Sequence, residues 1–418
     1  MAANASHSRI LIVGAGIFGT STAYHLAHSH ADPSSITVLD RSPFPPRHAA
    51  SIDISKIVSV DYATPFYMDL AFEARHAWKN MSILRDRDGE LFFDQACSVM
   101  LSNEESGLVE EIRANFRAQD RDQTDDLKKS ELDLWAGPQE NGYLNRHGGW
   151  VDAGAALAAM MEDAVSRGVR YKTGDVETLI LGENGVKGVQ TKDGRVYKAD
   201  KILLATGAWT SQLLSQTEGI LNIGERDRVE KQVTAAGVCV VYYKLNEEEY
   251  EFLKDLPVII SGDIGEVVPP PKRSRLLKFT NARSFTNTTR TASRQQISIP
   301  PDSLQTNVPS HLQSETLDSI VSKIPQLASI ASKKPYYWRL CWDGITPSQD
   351  QLITRHPHAQ LSNLYLAAGG SFHSWKFLPI IGSYVVNVLN GVSNGEEKRR
   401  RGVNEKFVPK RDLKDLED

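Results

Sequence analysis

The sequence has little cysteine, and the cysteines it has form no recognised pattern. Only Cys97, Cys239 and Cys341 occur among 418 residues, and none of them forms a CxxC pair. A disulfide framework or a zinc site requires closely spaced or paired cysteines, so both are disfavoured. We therefore expect a reduced, cytosolic protein.

Other targeting and binding signals are also missing. No apolar run approaches the roughly 20 residues of a membrane helix, and the apolar run after the polar residues 1–7 is too short for a signal-peptide core. The C-terminal Leu416-Glu417-Asp418 is not a peroxisomal tripeptide. A net charge of −4 gives no reason to expect nucleic acid. We expect a soluble protein with neither a membrane nor a nucleic-acid partner.

The most informative stretch lies near the start of the chain. An apolar run at 10–13 leads into Gly14-Ala15-Gly16-Ile17-Phe18-Gly19, then a helical stretch, a second apolar run at 36–39 and Asp40. This order of strand, glycine turn, helix, strand and acid is typical of dinucleotide binding. An ordinary glycine-rich turn is the alternative, and it explains neither the second strand nor the acid.

Each residue of this motif has a distinct expected role. Gly14 permits the tight turn, Gly16 lets the backbone approach a pyrophosphate, and Gly19 lets the helix pack on the strand. The free N–H groups of the helix start face the phosphate charge. Asp40 follows Gly19 by 21 residues, where a carboxylate accepts hydrogen bonds from ribose hydroxyls.

The chain alternates between two kinds of sequence. The segments 1–84, 148–216 and 335–391 carry the apolar strands and helices of a dinucleotide fold, whereas 85–147 and 217–334 are polar and strand-rich. Residues 392–418 form a charged tail. We predict an α/β fold with a discontinuous Rossmann-like domain and a sheet-rich substrate domain. A pyridine-nucleotide dehydrogenase usually has a contiguous Rossmann domain, so the split layout favours FAD.

Six motifs are spread over almost the whole chain: Ile10 to Gly16, Gly149-Trp150-Val151-Asp152, Leu203 to Ala208, Arg339-Leu340-Cys341-Trp342, Arg355-His356-Pro357 and Lys376 to Gly382. Together they resemble the FAD-dependent amine oxidases of the D-amino-acid oxidase superfamily. The resemblance is to the branch with monomeric sarcosine oxidase, fungal fructosyl amino acid oxidases (amadoriases), and saccharopine and pipecolate oxidases.

This resemblance implies FAD, a small-molecule amine substrate, oxygen as acceptor and a monomer. The residues it assigns to the cofactor are Gly14, Gly16, Ile17, Phe18, Gly19, Asp40, Arg41, Ser51, Lys56, Val176, Ala205, Gly207, Trp209, Cys341, Phe372, His373, Ser374 and Lys376. Lys278, Lys376 and Lys56 are the implied catalytic residues.

Cys341 is the implied site of covalent attachment, through a thioether to the flavin 8-methyl carbon. Alternation along the strand from Trp338 to Asp343 places Cys341 on one face with Arg339. A nearby guanidinium favours the reactive thiolate. An inert buried thiol is the alternative.

The three lysines have separate implied roles. Lys278 assists the reaction of reduced flavin with oxygen by placing a fixed positive charge where negative charge develops. Lys56 matches a second lysine near the flavin in amadoriases, and Lys376 matches the lysine that holds the substrate carboxylate. Solvated positions on a strand and in a loop are the alternatives for Lys278 and Lys56. His356, His358 and His373 have no acidic or cysteine partner at ligand spacing, so we expect no metal.

The substrate is expected to be a secondary amine attached to a carboxylate, oxidised to an imine with release of hydrogen peroxide. Phe372 and Ser374 replace glycines of the family motif, and bulk at Phe372 could narrow the pocket. Amadoriases have a glutamate shortly after the lysine matched by Lys278, and no acid occurs here up to Arg294. Arg283 could instead meet a second carboxylate, or an aromatic ring could fill the space. A fructosyl amino acid oxidase and a flavoprotein without oxidase turnover are the alternatives.

Overall fold

The structure is a computed structural model that describes residues 8–47, 49–128, 140–262, 264–302, 305–323, 327–395 and 411–413. The Lys398 to Arg401 run, predicted to be part of a charged tail, lies outside the described residues, as do residues 1–7. Within the described part, no helix is both long and apolar enough to cross a membrane.

The described residues form nine helices and 22 strands. The helices are α1 Ile17–Ser29, α2 Pro65–Asn80, α3 Leu108–Ala118, α4 Ala153–Ser166, α5 Thr210–Ile220, α6 Glu247–Leu253, α7 Ser310–Lys323, α8 Ala328–Ala331 and α9 Ile381–Leu389. The strands are β1 Ile10–Val13, β2 Ile36–Asp40, β3 Lys56–Val58, β4 Phe93–Asp94, β5 Ser98–Asn103, β6 Thr124–Asp126, β7 Glu140–Asn145, β8 Gly149–Val151, β9 Arg170–Thr173, β10 Val176–Gly182, β11 Gly185–Thr191, β12 Val196–Lys198, β13 Lys201–Leu204, β14 Thr234–Lys244, β15 Val258–Ser261, β16 Gly265–Val268, β17 Leu276–Asn281, β18 Thr288–Arg290, β19 Gln296–Ser298, β20 Tyr337–Ile345, β21 Leu352–Arg355 and β22 Leu364–Ala368.

A six-stranded sheet contains the glycine-turn unit. Its order is β21-β22-β13-β1-β2-β9, and all pairs are parallel except β21 with β22. The central strands are apolar along their length because both faces are covered, as in α/β proteins. For example, all four residues of β1 are buried. Strands from early, middle and late parts of the chain therefore meet in one sheet.

An eight-stranded sheet forms the second large layer, in the order β20-β14-β17-β16-β15-β5-β7-β6. One of its faces packs an apolar cluster that includes Val241, Val267 and Phe279, together with Ile320 of α7 and Ile330 of α8. Side chains alternate along a strand, so the neighbouring positions project from the opposite face. That opposite face forms part of the cavity described below.

The predicted mixed α/β fold is confirmed, but the chain divides between the sheets differently at one place. β20 starts at Tyr337, inside the predicted dinucleotide segment 335–391, yet it pairs with β14 as the edge of the eight-stranded sheet. The region 85–147 likewise contributes β5, β6 and β7 to this sheet.

Four helices, α3, α5, α6 and α8, were not predicted from the sequence. α3 lies in a stretch interpreted as irregular, although Val109, Ile112 and Phe116 form a buried face at helical spacing. The charged residues of this stretch lie on the exposed face of the helix, and their number makes the helical spacing of the apolar residues hard to see in the sequence. α5 follows the small-residue turn at 205–208, which had been interpreted as a turn alone.

Candidate active site

The glycine turn lines a cavity of about 260 Å³ at the carboxyl ends of β1, β2 and β13. Gly14 has φ of +100°, and a side chain there would meet the carbonyl oxygen of Ala205 at 2.3 Å. A side chain at Gly19 would lie 1.9 Å from the carbonyl oxygen of Gly14. The turn is therefore possible only with glycine at both positions. This cradle leaves backbone exposed to the cavity, as a dinucleotide phosphate requires.

The edge of this cavity is polar. Asp40 accepts hydrogen bonds from Ala15 N at 2.9 Å and from Ser42 N at 3.0 Å. Each carboxylate oxygen can accept a further bond, so the donors in place do not exclude a ribose hydroxyl. The guanidinium of Arg41 stacks over the Trp209 ring, 4.4 Å from its centroid. Both side chains line the cavity and close one side of it.

A second cavity, of about 340 Å³, adjoins the first one. The two cavities share Ile17, Ala50, Ser51 and Asp343 as lining residues, so they form one extended cleft. The hydroxyl of Ser51 accepts a bond from Ile17 N at 2.8 Å, which fixes the junction against the start of α1. The cleft runs from the glycine turn to the open face of the eight-stranded sheet. Such a shape suits an extended dinucleotide with its reactive ring at the sheet.

A buried ion cluster lies at the sheet end of the cleft. Lys278 on β17 donates to Asp53 at 2.6 Å and to the carbonyl of Ser55 at 3.1 Å. Lys56 approaches the same carboxylate at 3.4 Å, and the Tyr242 hydroxyl donates to it at 2.9 Å. Asp53 therefore joins two lysines that both line the cavity.

The pKa values in this cluster follow from burial and charge. Burial opposes ionisation of Asp53, but the charges of Lys278, Lys56 and Arg339 outweigh that penalty and hold its pKa below the ordinary value. Burial lowers the pKa of Lys278, and Asp53 reduces this effect without cancelling it. The carboxylate is therefore ionised wherever the protein is folded near neutral pH.

Cys341 is buried on β20 and lines the second cavity. The nearby Arg339 is also buried, and its guanidinium donates to the carbonyls of Ile52 and Ala49, the latter at 2.8 Å. Arg339 thereby ties the loop before β3 to the strand that carries the thiol. All three cysteines are free thiols.

Lys376 lies on the other side of the same cavity. Its ammonium bonds the Ser59 hydroxyl at 3.0 Å and lies 4.7 Å from the centroid of the Tyr62 ring. Burial lowers the pKa of Lys376 to about 8, partly offset by Asp61 and Glu266. Within the described part of the chain, no carboxylate forms an ion pair with it. A buried ammonium in a cavity is suited to receive an anion from a ligand.

The segment that carries Lys376 is held by aromatic side chains. Trp78 Nε1 donates to the Lys376 carbonyl at 2.7 Å, and Trp375 Nε1 donates to the Ser51 carbonyl at 2.9 Å. The two indoles stack with centroids 5.6 Å apart. These contacts fix the lysine at the point where the two layers meet.

The neutral form of His373 is defined by its two partners. Its Nε2 lies 2.8 Å from the carbonyl of Gln349, which can only accept, so Nε2 carries the proton. Nδ1 then accepts from the Tyr62 hydroxyl at 2.9 Å. Burial lowers the pKa of His373 to about 4, which keeps the ring neutral. This bond orients Tyr62 beside Lys376.

Phe372 adopts a left-handed backbone with φ of +62°, which non-glycine residues rarely do. Its amide donates to Asp343 at 2.9 Å, and its side chain lines the second cavity. The narrowing of the pocket by Phe372 stays a prediction.

Almost every residue assigned from the resemblance lines the cleft. The first cavity has Gly14, Gly16, Ile17, Phe18, Asp40, Arg41, Ser51, Val176, Ala205, Gly207 and Trp209. The second has Lys56, Lys278, Cys341, Phe372, His373, Ser374 and Lys376, and it shares Ile17 and Ser51 with the first. Gly19 is the exception, because it packs the helix against the turn.

Arg283 does not lie among the residues that line the cavity, so the suggested role for it is not supported. It pairs with Glu315 at 3.3 Å, and 60% of its side chain is exposed. Phe285 is buried against Trp342, with ring centroids 5.4 Å apart. Thr280 and Ala282 line the cavity instead. Phe285 therefore does not line the cavity.

The sequence analysis assigned no role to several polar residues that line the second cavity, among them Asp53, Asp61, Tyr62 and Glu266. Asp53 precedes Lys56 by three residues, and this spacing of opposite charges was a usable signal for an ion pair. Glu266 stands alone as an acid in the apolar strand β16, which was a usable signal. Within the described ranges, no group of three His, Cys, Asp or Glu side chains could hold a metal.

The glycine cradle, the extended cleft and the lysines at the sheet define an FAD-dependent oxidoreductase. The chain belongs to the DAO family, FAD dependent oxidoreductase, whose family model matches residues 9–388.

Individual relatives and structures agree with this assignment. The chain is 27% identical to L-saccharopine oxidase of Schizosaccharomyces pombe, over 93% of this chain and 91% of the relative. It is 25% identical to human peroxisomal sarcosine oxidase, over 89% of each chain. A modified fructosyl peptide oxidase from Aspergillus nidulans has a similar structure, with a TM-score of 0.82 and 26% identity, over 98% of this chain and 99% of that one.

The ion cluster leads to a prediction about stability. Asp53→Asn leaves Lys278, Lys56 and Arg339 without their shared counter-charge in a buried place. We expect the free energy of unfolding to fall by roughly 3–5 kcal/mol, as when one partner of a buried pair is removed. Thermal unfolding monitored by circular dichroism measures this loss.

The matched control is Asp193→Asn, which breaks the exposed pair with Arg195 on a turn. Its melting temperature should stay close to that of the unmodified protein. Equal effects of the two substitutions would contradict a special role for Asp53.

Proposed function

We propose that the protein is a flavin-dependent oxidase of N-substituted amino acids, in which a secondary amine is attached to a carboxylate. The observation that carries this proposal is Lys376, a buried ammonium that lines the cavity without a carboxylate partner in the described residues. A substrate carboxylate supplies the missing anion. The relatives named as saccharopine and sarcosine oxidases support the same class.

A fructosyl amino acid oxidase is the second candidate, favoured by the structural similarity to fructosyl peptide oxidase. Against it are the lack of any acid between Lys278 and Arg294, where the amadoriase motif has a glutamate, and the bulk of Phe372. A flavin dehydrogenase or a flavoprotein without oxidase turnover is a further alternative. Release of hydrogen peroxide on addition of substrate distinguishes an oxidase from both.

The cleft fits FAD in its shape and in its glycine cradle. In this proposal the residues of the first cavity hold the dinucleotide, and Cys341 holds the ring system through a thioether. When bound, FAD accepts two electrons from the carbon next to the substrate nitrogen and passes them to oxygen. The cofactor domain comprises 1–84, 148–216 and 335–391, although β20 lies in the other sheet, and 85–147 and 217–334 form the substrate domain.

The protein's own side chains then position and stabilise charge. Lys376 binds the substrate carboxylate, with Tyr62 packed against its ammonium. Lys278 and Lys56 provide positive charge at the sheet end of the cleft, where oxygen gains electrons. Asp53 fixes both ammonium groups, so their charge is already in place before oxygen arrives.

We also propose that the protein acts in the cytoplasm on small molecules. The support is that all three cysteines are free, which fits a reducing compartment. The monomeric state stays a prediction.

Covalent attachment is tested with Cys341→Ser. We expect acid-precipitated unmodified protein to keep its yellow colour and the variant to release flavin into the supernatant, because serine cannot form the thioether. Cys239→Ser is the matched control, since Cys239 is a buried thiol on the neighbouring strand β14. Free flavin from the unmodified protein would refute the attachment.

The role of Lys278 in the oxygen reaction is tested with Lys278→Met. We expect the oxygen-dependent half of the cycle to slow by roughly 10²–10³, the usual cost of removing one charge donor. Anaerobically reduced enzyme mixed with oxygen in a stopped-flow instrument measures this rate. A slower substrate-dependent half with an unchanged oxygen reaction would contradict the assignment.

The role of Lys376 predicts a pH dependence. The carboxylate binds the protonated ammonium, which is present below a pKa of about 8 and is lost above it. We therefore expect KM to rise as the pH increases through 8, measured by peroxide release with N-methyl amino acids and saccharopine. Lys376→Met should raise KM roughly 10- to 100-fold at pH 7 and remove this rise.

Lys376→Arg is the control, because arginine stays charged at all these pH values. Its KM should not rise between pH 7 and 9. A fructosyl amino acid preferred at least about tenfold by kcat/KM over all N-alkyl amino acids would instead favour the second candidate.

A further inference from the structure

One carboxylate of the second cavity accepts no hydrogen bond from any described residue. Glu266 lies on β16 and lines the cavity. Among the described residues it has neither a hydrogen-bond donor nor an ion-pair partner within contact distance. A half-buried carboxylate in a cavity is stabilised only when water or a ligand donates to it.

Strand pairing shows where Glu266 points. It lies opposite Thr280 on β17 and opposite Ile260 on β15, and both of these residues line the cavity. The next residue, Val267, belongs to the apolar cluster on the other face. The Glu266 side chain is therefore on the same face of the sheet as Lys278.

Glu266 lies close enough to the lysines described above to interact with their charges. Its charge raises the pKa of Lys56, Lys278 and Lys376 relative to what burial alone would give. These three lysines are the cations that face it, and the other acids of the cavity are Asp53, Asp61 and Asp343. The carboxylate thus shares the cavity with the ammonium that receives the substrate carboxylate.

The other acids of the cavity already accept hydrogen bonds from protein groups. Asp53 is bonded to Lys278, and Asp343 accepts from the amides of Phe372 and Gly344. Asp61 Oδ1 accepts from Tyr143 and Asn145, and its Oδ2 is buried away from solvent. Glu266 is thus the acid of this wall that a ligand can contact.

We infer that Glu266 binds the protonated amine of the substrate and accepts its proton before oxidation. This inference rests on the proposed function, because it concerns the same substrate. Aliphatic amines are protonated at neutral pH, with a pKa of about 10. The carbon next to nitrogen can lose two electrons only when the nitrogen lone pair is free to form the C=N bond.

The proton moves from the substrate nitrogen to the Glu266 carboxylate, and no other reactant is needed. The N–H bond breaks, its electron pair stays on nitrogen, and an O–H bond forms on the Glu266 carboxylate. The zwitterionic substrate is thus held at both ends, with its carboxylate at Lys376 and its nitrogen at Glu266. Glu266 is accordingly a specificity-determining residue that favours substrates with an N–H bond.

The test compares Glu266→Gln with the unmodified holoenzyme, using an N-methyl amino acid at pH 6 to 9. Without the carboxylate, only the neutral fraction of the amine reacts. The ratio of kcat/KM, variant to unmodified, should therefore rise by about tenfold for each pH unit. Because Glu266 raises the pKa of Lys376, the substitution also shifts that titration, so the ratio is measured again in the Lys376→Arg background, where the charge is constant over this pH range. A ratio that does not change with pH overturns the inference, whatever its value.

Two further measurements separate proton acceptance from a structural effect. Glu266→Asp keeps an acceptor, so its ratio to the unmodified enzyme should stay flat over the same pH range. Tetrahydrofuran-2-carboxylate has a carboxylate but no N–H bond, and its binding is measured from the shift in melting temperature of the holoenzyme. Its Kd in Glu266→Gln should change by less than about threefold.

A larger loss of binding means that the substitution disturbs the cavity as a whole, and it overturns the inference. If the proposed function itself were wrong, the result would differ, because the unmodified enzyme would release no peroxide with any N-substituted amino acid.

Discussion

The ion contact between Asp53 and Lys278 joins the two halves of the molecule at the candidate site. Asp53 follows the Ser51 loop that closes the dinucleotide cavity, whereas Lys278 is in the middle of the eight-stranded sheet. Both groups are buried, so neither could remain there without the other, because an unpaired buried charge costs several kcal/mol. The position of Lys56, the path of the loop before β3 and the wall of the second cavity all depend on this contact.

Charge is distributed unevenly along the cleft. The glycine-turn end offers backbone groups and polar edges, whereas the sheet end collects three lysines beside four acids, namely Lys56, Lys278 and Lys376 with Asp53, Asp61, Glu266 and Asp343. Within the described residues Lys376 has no carboxylate partner, so its buried charge is costly until an anion pairs with it. An electron-accepting ring and a substrate carboxylate both bring negative charge to that end. The cost of burying the lysines is consistent with a binding site and is difficult to explain for a purely structural core.

The sequence predicted those parts of the site that depend on local order. The glycine turn is encoded within ten residues, and its strand, helix and acid follow at short range, so its geometry could be inferred directly. Cys341 and Lys376 were found through family motifs, and both line the predicted cavity. The ion pair of Asp53 with Lys278 spans 225 residues, and no local pattern links the two. Glu266 was missed for a related reason, since its environment is set by β17 and β15 and not by its own strand.

The cavity is assembled from distant parts of the chain, and this has a consequence for biosynthesis. Lys376 reaches Ser59 across 317 residues, and Arg339 reaches the carbonyl of Ile52 across 287. A nascent chain therefore presents the 49–62 loop long before the groups that neutralise and cover it are made. Contacts of such long sequence separation form late and slow folding. In the cell, the site is complete only after the last strands have left the ribosome, and until then the early β1-α1-β2 unit must persist without most of its partners.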